Sequence, residues 1–477
     1  MGVADLLTNT QADAGNKSDS YYKLKLSPLR YKLRAMLLPI IAEETRMVFK
    51  IQKRLRCDFL DVYFAWSANL ASHTFYVIML PLPFWFGFVE ITRDLVWVLG
   101  FGIFISGVAK DYFCLPRPQS PPLHRITMSG YTAKEYGFPS SHSANATSVT
   151  MVLFYYYLQF YFAEMGWFPN LAVSLFVVGY CVSLMFGRVY CGMHGFMDVL
   201  GGTSIGVFCF ISRLQISKIW DPLLTSDQFH WWLPVGVVVF VGLSVHFHAQ
   251  PVDDCPCFDD SVAFIGVLLG LELSNYYMAK YDYFKQVVDP AAGVTSTVTL
   301  PYSFESLGWF KTIARVVVGV GLVVVWKAVS KKFFLRLLTP VYGMLGVYIP
   351  RNFVNPVSLS NESYDNIYQS SMKRLDEDEV ADFPKFVKSI TQRPTQVEDQ
   401  QGDNPPESIG THKKHDDDGE EAKGHKGVLE TCGALKPRYD VEIVTRLIVY
   451  AGIPCMATVG FAVAVKLLGL DYQPYKV

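Results

Sequence analysis

Three short stretches of the chain carry side chains suited to one task. They are Lys110-Asp-Tyr-Phe-Cys-Leu-Pro-Arg117-Pro118, Pro139-Ser140-Ser141-His142 and Arg188-Val-Tyr-Cys-Gly-Met-His194-Gly-Phe-Met-Asp198. Together they offer three cations, two histidines, a serine pair and, in Asp198, a carboxylate four residues from a histidine. Phosphoryl transfer needs in-line positioning and cancellation of charge on the equatorial oxygens. Lys110, Arg117 and Arg188 can supply that positive field, and the guanidinium forks also orient the group. Pro118 biases Arg117 to an extended backbone, which fixes the direction of its fork. Ser140, Ser141 and His142 stand where a helix should begin. Serine is a favoured N-cap, and the free amides of a first turn attract anions. His194 and Asp198 are four apart, so on a helix they share a face and the carboxylate can hold one imidazole nitrogen. The other nitrogen then keeps its lone pair for phosphorus, as an oriented nucleophile should. A lone His–Asp pair is a poor metal site, so the chemistry expected uses neither metal nor cofactor. Taken singly, each group has a plainer reading: a surface arginine, a simple cap, a snorkelling anchor. Their combination argues for a shared site.

The elements that must position these groups are apolar. Of the 477 residues, 51% are hydrophobic, and they are collected into runs long enough to span a bilayer. The runs fall at about 69–90, 93–110, 143–163, 170–187, 196–216, 231–249, 261–279, 311–330, 334–350 and 445–468. This pattern predicts an all-α, multi-pass helical membrane bundle with roughly eight to ten spans. The run 334–350, interrupted by Pro340 and Gly343, reads as re-entrant or interfacial. Lys110 ends the second run and His142 begins the third; Arg188 ends the fourth and His194 begins the fifth. All three motifs therefore reach one membrane face. The substrate expected there is one that a bilayer can deliver.

The organisation predicted is a polar and basic arm at 1–56, a membrane core at 57–250 and further spans at 251–351. A disordered polar loop at 352–444 and a final span with its tail at 445–477 complete it. The arm carries ten Lys and Arg residues between Lys23 and Arg56, which reads as a juxtamembrane anchor on anionic lipid. A net charge of −1 offers nothing global to nucleic acid. Cys255-Pro-Cys257 sits among Asp253, Asp254, Asp259 and Asp260 but lacks a second ligand pair at zinc spacing. Glu272 lies inside an apolar run and should face the bundle interior or a polar cavity, whereas Arg315 and Lys327 read as snorkelling. Gly201, Gly202 and Gly206 should allow close helix packing.

The three motifs, written Lys110-x6-Arg117-Pro118, Pro139-Ser-Ser-His142 and Arg188-x5-His194-x3-Asp198, resemble the signatures of the type 2 phosphatidic acid phosphatase superfamily. Ser141 stands where that pattern usually has glycine, and Gly187 where a serine often precedes the arginine. The wording Gly137-Phe-Pro-Ser-Ser-His-Ser143, the stretch Arg188–Gly202 and the Cys255-Pro-Cys257 segment look like the sphingosine-1-phosphate (long-chain base phosphate) phosphatase branch. The resemblance implies a six-helix core and a metal-independent hydrolase of the endoplasmic reticulum membrane, with its site on the lumenal face. It implies His194 as nucleophile, Asp198 as its orienter and His142 as proton donor to the leaving alkoxide. Lys110, Arg117, Ser140 and Arg188 would bind phosphate. The substrate implied is a long-chain base phosphate. Phosphatidate or dolichyl diphosphate is the alternative, and an anion transporter a more distant one. The basic arm by itself predicts a cytosolic N-terminus, and two spans before Lys110 would carry the site to that same side; a lumenal site requires either that the arm is an exception or that an extra crossing lies in the apolar stretch about 57–72.

Overall fold

In a computed structural model the described residues are 13–71, 73–128, 134–225, 230–253, 255–280, 285–289, 294–298, 302–345 and 439–471. The arm forms α1 (Asp19–Lys25) and the 28-residue α2 (Pro28–Leu55). Next come α3 (Asp58–Ser67), a 3-10 turn at Ala68–Ala71, α4 (His73–Met79) and α5 (Pro81–Trp85). The core helices are α6 (Val89–Phe113), α7 (Ser141–Phe160), α8 (Trp167–Tyr190) and α9 (Phe196–Thr225). Then α10 (Trp232–Phe247) and α11 (Cys257–Lys280) follow. A short antiparallel hairpin, β1 (Lys285–Asp289) with β2 (Val294–Val298), leads to α12 (Phe304–Leu345). The last span is α13 (Val441–Cys455), which passes through a π-turn into α14 (Phe461–Leu467). The all-α membrane bundle expected from the sequence is present, with the hairpin as an addition.

Among the described residues, six helical stretches are long and apolar enough to cross a membrane, at 89–113, 167–190, 196–224, 257–280, 304–342 and 441–467. Beside these, α7 is more polar, α10 is shorter, and α3–α5 make a broken stretch of short helices. Two prolines, Pro81 and Pro83, fall in that broken stretch, where proline removes amide donors. The expected separate run 334–350 is instead the continuation of α12, which is kinked at Gly308 and runs through Pro340 to Leu345. Neighbouring helices and local adjustment let membrane helices tolerate proline in this way. The expected loop 352–444 lies outside the described residues except at its end, where α13 begins.

The ends of the helices alternate between two rims. At one rim Arg93 of α6 pairs with Asp221 at 2.8 Å and with Glu272 of α11 at 3.3 Å. Arg213 of α9 pairs with Asp94 at 2.7 Å and with Asp221 at 2.6 Å. Trp220 Nε1 donates to Glu272 at 2.9 Å, and the Tyr156 hydroxyl to Asp94 at 3.0 Å. Glu272 is thus a member of a paired network that fixes the register of α6, α9 and α11. Breaking one partner of such a buried pair is costly because the other charge stays behind. Arg315 does not snorkel. It is fully buried and donates to the carbonyls of Leu470 (2.8 Å) and Trp85 (2.6 Å), tying α12 to α5 and to the residues after α14.

The other rim gathers the three motifs. Helix α6 stops there because Cys114 adopts a left-handed conformation (φ 52°), its amide closing on Lys110 O, and prolines follow at 116 and 118. Helix α7 starts there on Ser140, whose Oγ accepts from the Ser143 amide at 3.3 Å. Helices α8 and α9 end and begin there. Between them Gly192 (φ +64°) turns the chain so closely against His124 O that a Cβ would lie 2.8 Å from it.

Candidate active site

His194 lies in the turn between α8 and α9. Its amide is held by Arg188 O at 3.3 Å, as is that of Met193 at 3.1 Å. Helix α9 begins only at Phe196, so His194 and Asp198 do not share a helical face. Asp198 reaches back over the first turn instead: its Oδ2 accepts from the Gly195 amide at 3.0 Å and lies 3.3 Å from His194 Nδ1. The other nitrogen, Nε2, is 3.0 Å from Arg117 Nη1. A guanidinium only donates, so Nε2 must present a lone pair, and the imidazole proton belongs on Nδ1 towards Asp198. Burial, followed by the charges of Arg117 and Lys110, pushes the His194 pKa well below its ordinary value. The ring is therefore neutral, with Nε2 aimed among cations.

Arg117 is locked from three sides. Its Nη1 donates to Met193 O at 2.8 Å, its Nε donates to Glu135 O at 3.0 Å, and its Nη2 lies 3.7 Å from Glu135 Oε2. Burial lowers its pKa to about 10, against the raising effect of Glu135, so it remains a cation near neutrality. Lys110 Nζ donates to Glu135 Oε2 and, at 3.1 Å, to Ser141 Oγ. Arg188 is buried, and its Nε has no hydrogen-bond acceptor among the described residues. That leaves a donor for an incoming oxyanion. His142 is half-buried on the first turn of α7, close enough for its charge to act on His194.

Ser140 is fully buried. Its amide donates to Asp198 O at 2.9 Å, so the start of α7 is registered on the helix that carries Asp198. Close helix packing makes this possible: a Cβ on Gly202 would sit 2.2 Å from Ser140 O, and one on Gly206 2.5 Å from Ala144 O. Gly202→Leu should force α7 away from α9. Phosphatase activity is expected to fall more than about tenfold while the membrane yield is retained, measured on detergent-purified protein; the misplacement of about 1 Å that this implies is enough for such a loss.

The structure gathers Lys110, Arg117, Ser140, His142, Arg188, His194 and Asp198 at one rim, and it adds others. Ser141, a departure from the family pattern, holds Lys110. At Gly187, the second departure, a Cβ would lie 2.8 Å from the Phe64 ring, so α3 packs where a side chain would stand. Glu135 was not singled out by the sequence. Neither was the arm's role. Glu44 of α2 is buried and accepts from the Met197 amide at 2.7 Å, capping α9 beside the turn that carries His194. Gln52 donates to His124 O (2.8 Å) and Tyr190 O (2.7 Å), and Arg34 to Cys114 O and to Gly15 O (2.7 Å). Asp253 accepts from the Tyr22 hydroxyl (2.6 Å), the Gly15 amide (2.9 Å) and the Tyr136 hydroxyl (3.1 Å). The basic arm is thus a wall of the site as well as a charged surface, and it lies on the site's side of the membrane. Cys255 and Cys257, read above for zinc ligands, are joined in a disulfide on that same side.

Fold and site define a multi-pass membrane protein with a cation-lined, histidine-bearing cluster at one rim. The model of the PAP2 superfamily matches residues 92–220, which contain all three motifs. The chain is 41% identical to the dihydrosphingosine 1-phosphate phosphatase of Saccharomyces cerevisiae, over 70% of this chain and 76% of that one. A dihydrosphingosine 1-phosphate phosphatase of Schizosaccharomyces pombe is 35% identical over the same shares. The lipid phosphate phosphatase delta of Arabidopsis thaliana is 28% identical, over 67% of this chain and 76% of that protein. No solved structure matches. The chain belongs to the PAP2 superfamily.

Proposed function

We propose that the protein is a lipid phosphatase that removes the phosphate of long-chain base 1-phosphates through a phosphohistidine intermediate. The observation that carries this reading is the neutral His194, whose Nε2 faces Arg117 while Nδ1 is held by Asp198. Relatives named for dihydrosphingosine 1-phosphate support the substrate class.

The substrate's headgroup enters at the rim and its phosphate takes the seat formed by Lys110, Arg117, Arg188 and the N-terminus of α7 at Ser140. These groups cancel charge that builds on the equatorial oxygens. His194 Nε2 attacks phosphorus; the P–N bond forms as the P–O bond to the lipid breaks. His142 gives its proton to the departing alkoxide. Asp198 stabilises the imidazolium-like ring through Nδ1–H. Water then attacks the phosphohistidine, losing its proton to His142, and inorganic phosphate leaves with His194 restored.

The proposed location is the endoplasmic reticulum membrane with the site towards the lumen. The Cys255–Cys257 disulfide on the site's side supports this, since disulfides persist in oxidising compartments. The charge of the arm favours the opposite orientation. Maleimide labelling of a cysteine placed at Gln119, in sealed microsomes and after permeabilisation, distinguishes them. Labelling only after permeabilisation is expected; labelling of sealed vesicles would overturn the lumenal assignment.

The substrate is tested on purified protein with sphingosine 1-phosphate, phosphatidate and dolichyl diphosphate in the same detergent. The expected result is a kcat/KM for the long-chain base phosphate at least about tenfold above the other two, a gap of about 1.4 kcal/mol in transition-state binding. Preference for either of the others would replace this reading.

A further inference from the structure

We propose that Glu135 is the specificity residue of this site: it holds the phosphate seat when the site is empty and receives the substrate's ammonium group when phosphate enters. This rests on the long-chain base reading above.

The carboxylate of Glu135 contacts Lys110 Nζ and lies 3.7 Å from Arg117 Nη2, the two cations assigned to phosphate. Its side chain is only 11% exposed, so the seat is shared in little water. A carboxylate and a phosphate dianion cannot both occupy it, because two anions at contact in a desolvated site repel strongly. Substrate binding must therefore move the carboxylate. The backbone of Glu135 does not need to follow, since its carbonyl accepts from Arg117 Nε at 3.0 Å and the next residue, Tyr136, is fully buried against Asp253. What moves is a side chain of three rotatable bonds pivoting on a fixed point.

Where that carboxylate can go is set by this tether. In a 2-amino-1-phosphate the ammonium nitrogen is separated from phosphorus by an oxygen and two carbons, placing it about 4–5 Å away by ordinary bond lengths. That is within the arc of the displaced carboxylate. A charge-assisted hydrogen bond to the ammonium replaces the lost pairing with Lys110. An amine-free lipid phosphate offers no such partner, and the displaced carboxylate then remains beside the phosphate as a repulsive charge. One residue thereby favours the amine and disfavours its absence, which is how discrimination between similar substrates is usually obtained.

The test compares the purified wild type with Glu135→Gln, which keeps shape and removes charge. Substrates are sphingosine 1-phosphate and an amine-free lysophosphatidate of similar chain length. The ratio of their kcat/KM values should fall at least about tenfold in E135Q, with the lysophosphatidate value raised. The inhibition constant for inorganic phosphate should drop, because its internal competitor is gone. An equal loss on both substrates, or an unchanged phosphate inhibition constant, would overturn the proposal and leave Glu135 as a structural partner of Lys110. If the wild type does not hydrolyse sphingosine 1-phosphate at all, the substrate assignment fails instead, a result distinct from an unmoved ratio in E135Q.

Discussion

His194→Ala should release no inorganic phosphate from a long-chain base phosphate, a loss on the order of 10⁵ or more. That is the scale seen when the nucleophile of a covalent mechanism is removed. The fold should survive. Arg117 keeps Met193 O and Glu135, and Asp198 keeps the Gly195 amide, so no charge in the site loses every partner. His194→Asn, which retains polar volume, guards against a packing artefact and should be equally inactive. Wild-type protein mixed briefly with ³²P-labelled substrate should carry label after an alkaline quench and lose it in acid, as a phosphoramidate does. Neither variant should carry label. EDTA should leave the wild-type rate unchanged, because the proposed route meets charge on the phosphate with Lys110, Arg117 and Arg188 alone. Residual turnover of more than about 1% in both variants, or collapse of activity in EDTA, would overturn the covalent, metal-free route.

How far the sequence foretold the site depends on the range of each contact. The three motifs were legible because each sits where an apolar run ends, and alternate crossings return such ends to one rim. The His194–Asp198 pairing was legible for a partly mistaken reason. Spacing suggested a helical face, whereas the helix begins at Phe196 and Asp198 folds back across its first turn. The contact is the same because a carboxylate in the first turn of a helix can reach the residues just before it. Glu135 and Glu44 were not legible. Glu135 is 25 residues from Lys110 in sequence, and Glu44 is 153 from Met197. No local period links such partners, and only the bundle's topology brings them together.

The membrane spans show the same division. Helices α6, α8, α9 and α11 follow directly from apolar length. The stretch 69–90, one run by hydropathy, is divided in the structure between a 3-10 turn and the short helices α4 and α5, with α3 before them from Asp58. Pro340 was given too much weight as a breaker, since α12 continues past it. Arg315 was assigned to the interface on composition. Its burial depends on two carbonyls, of Trp85 and Leu470, that lie 230 and 155 residues away. Polar groups inside a membrane bundle are set by partners, and partners are not visible in a window of 20 residues.

Arg117→Lys is the second change expected to act strongly, although it preserves charge. Arg117 spends one fork arm on Met193 O and the His194 lone pair, and its Nε on Glu135 O. A lysine ammonium can satisfy one of these directions and cannot present a planar fork to phosphate. Three consequences follow from the one substitution. The Met193 carbonyl loses its donor, so the turn that carries His194 loosens. The His194 Nε2 lone pair, the proposed nucleophile, loses its contact with Arg117 Nη1. In the proposed reaction the phosphate loses the Nη2 donor as charge builds. Removing a single preorganised donor of this kind costs about 10²–10³ in kcat, and that loss is expected here, with KM changing by less. Thermal unfolding in detergent should shift little, since the cation remains near Glu135. A fall confined to KM, with kcat intact, would mean that Arg117 serves only ground-state binding and that the positioning of His194 rests on Asp198 and the Arg188 carbonyl alone.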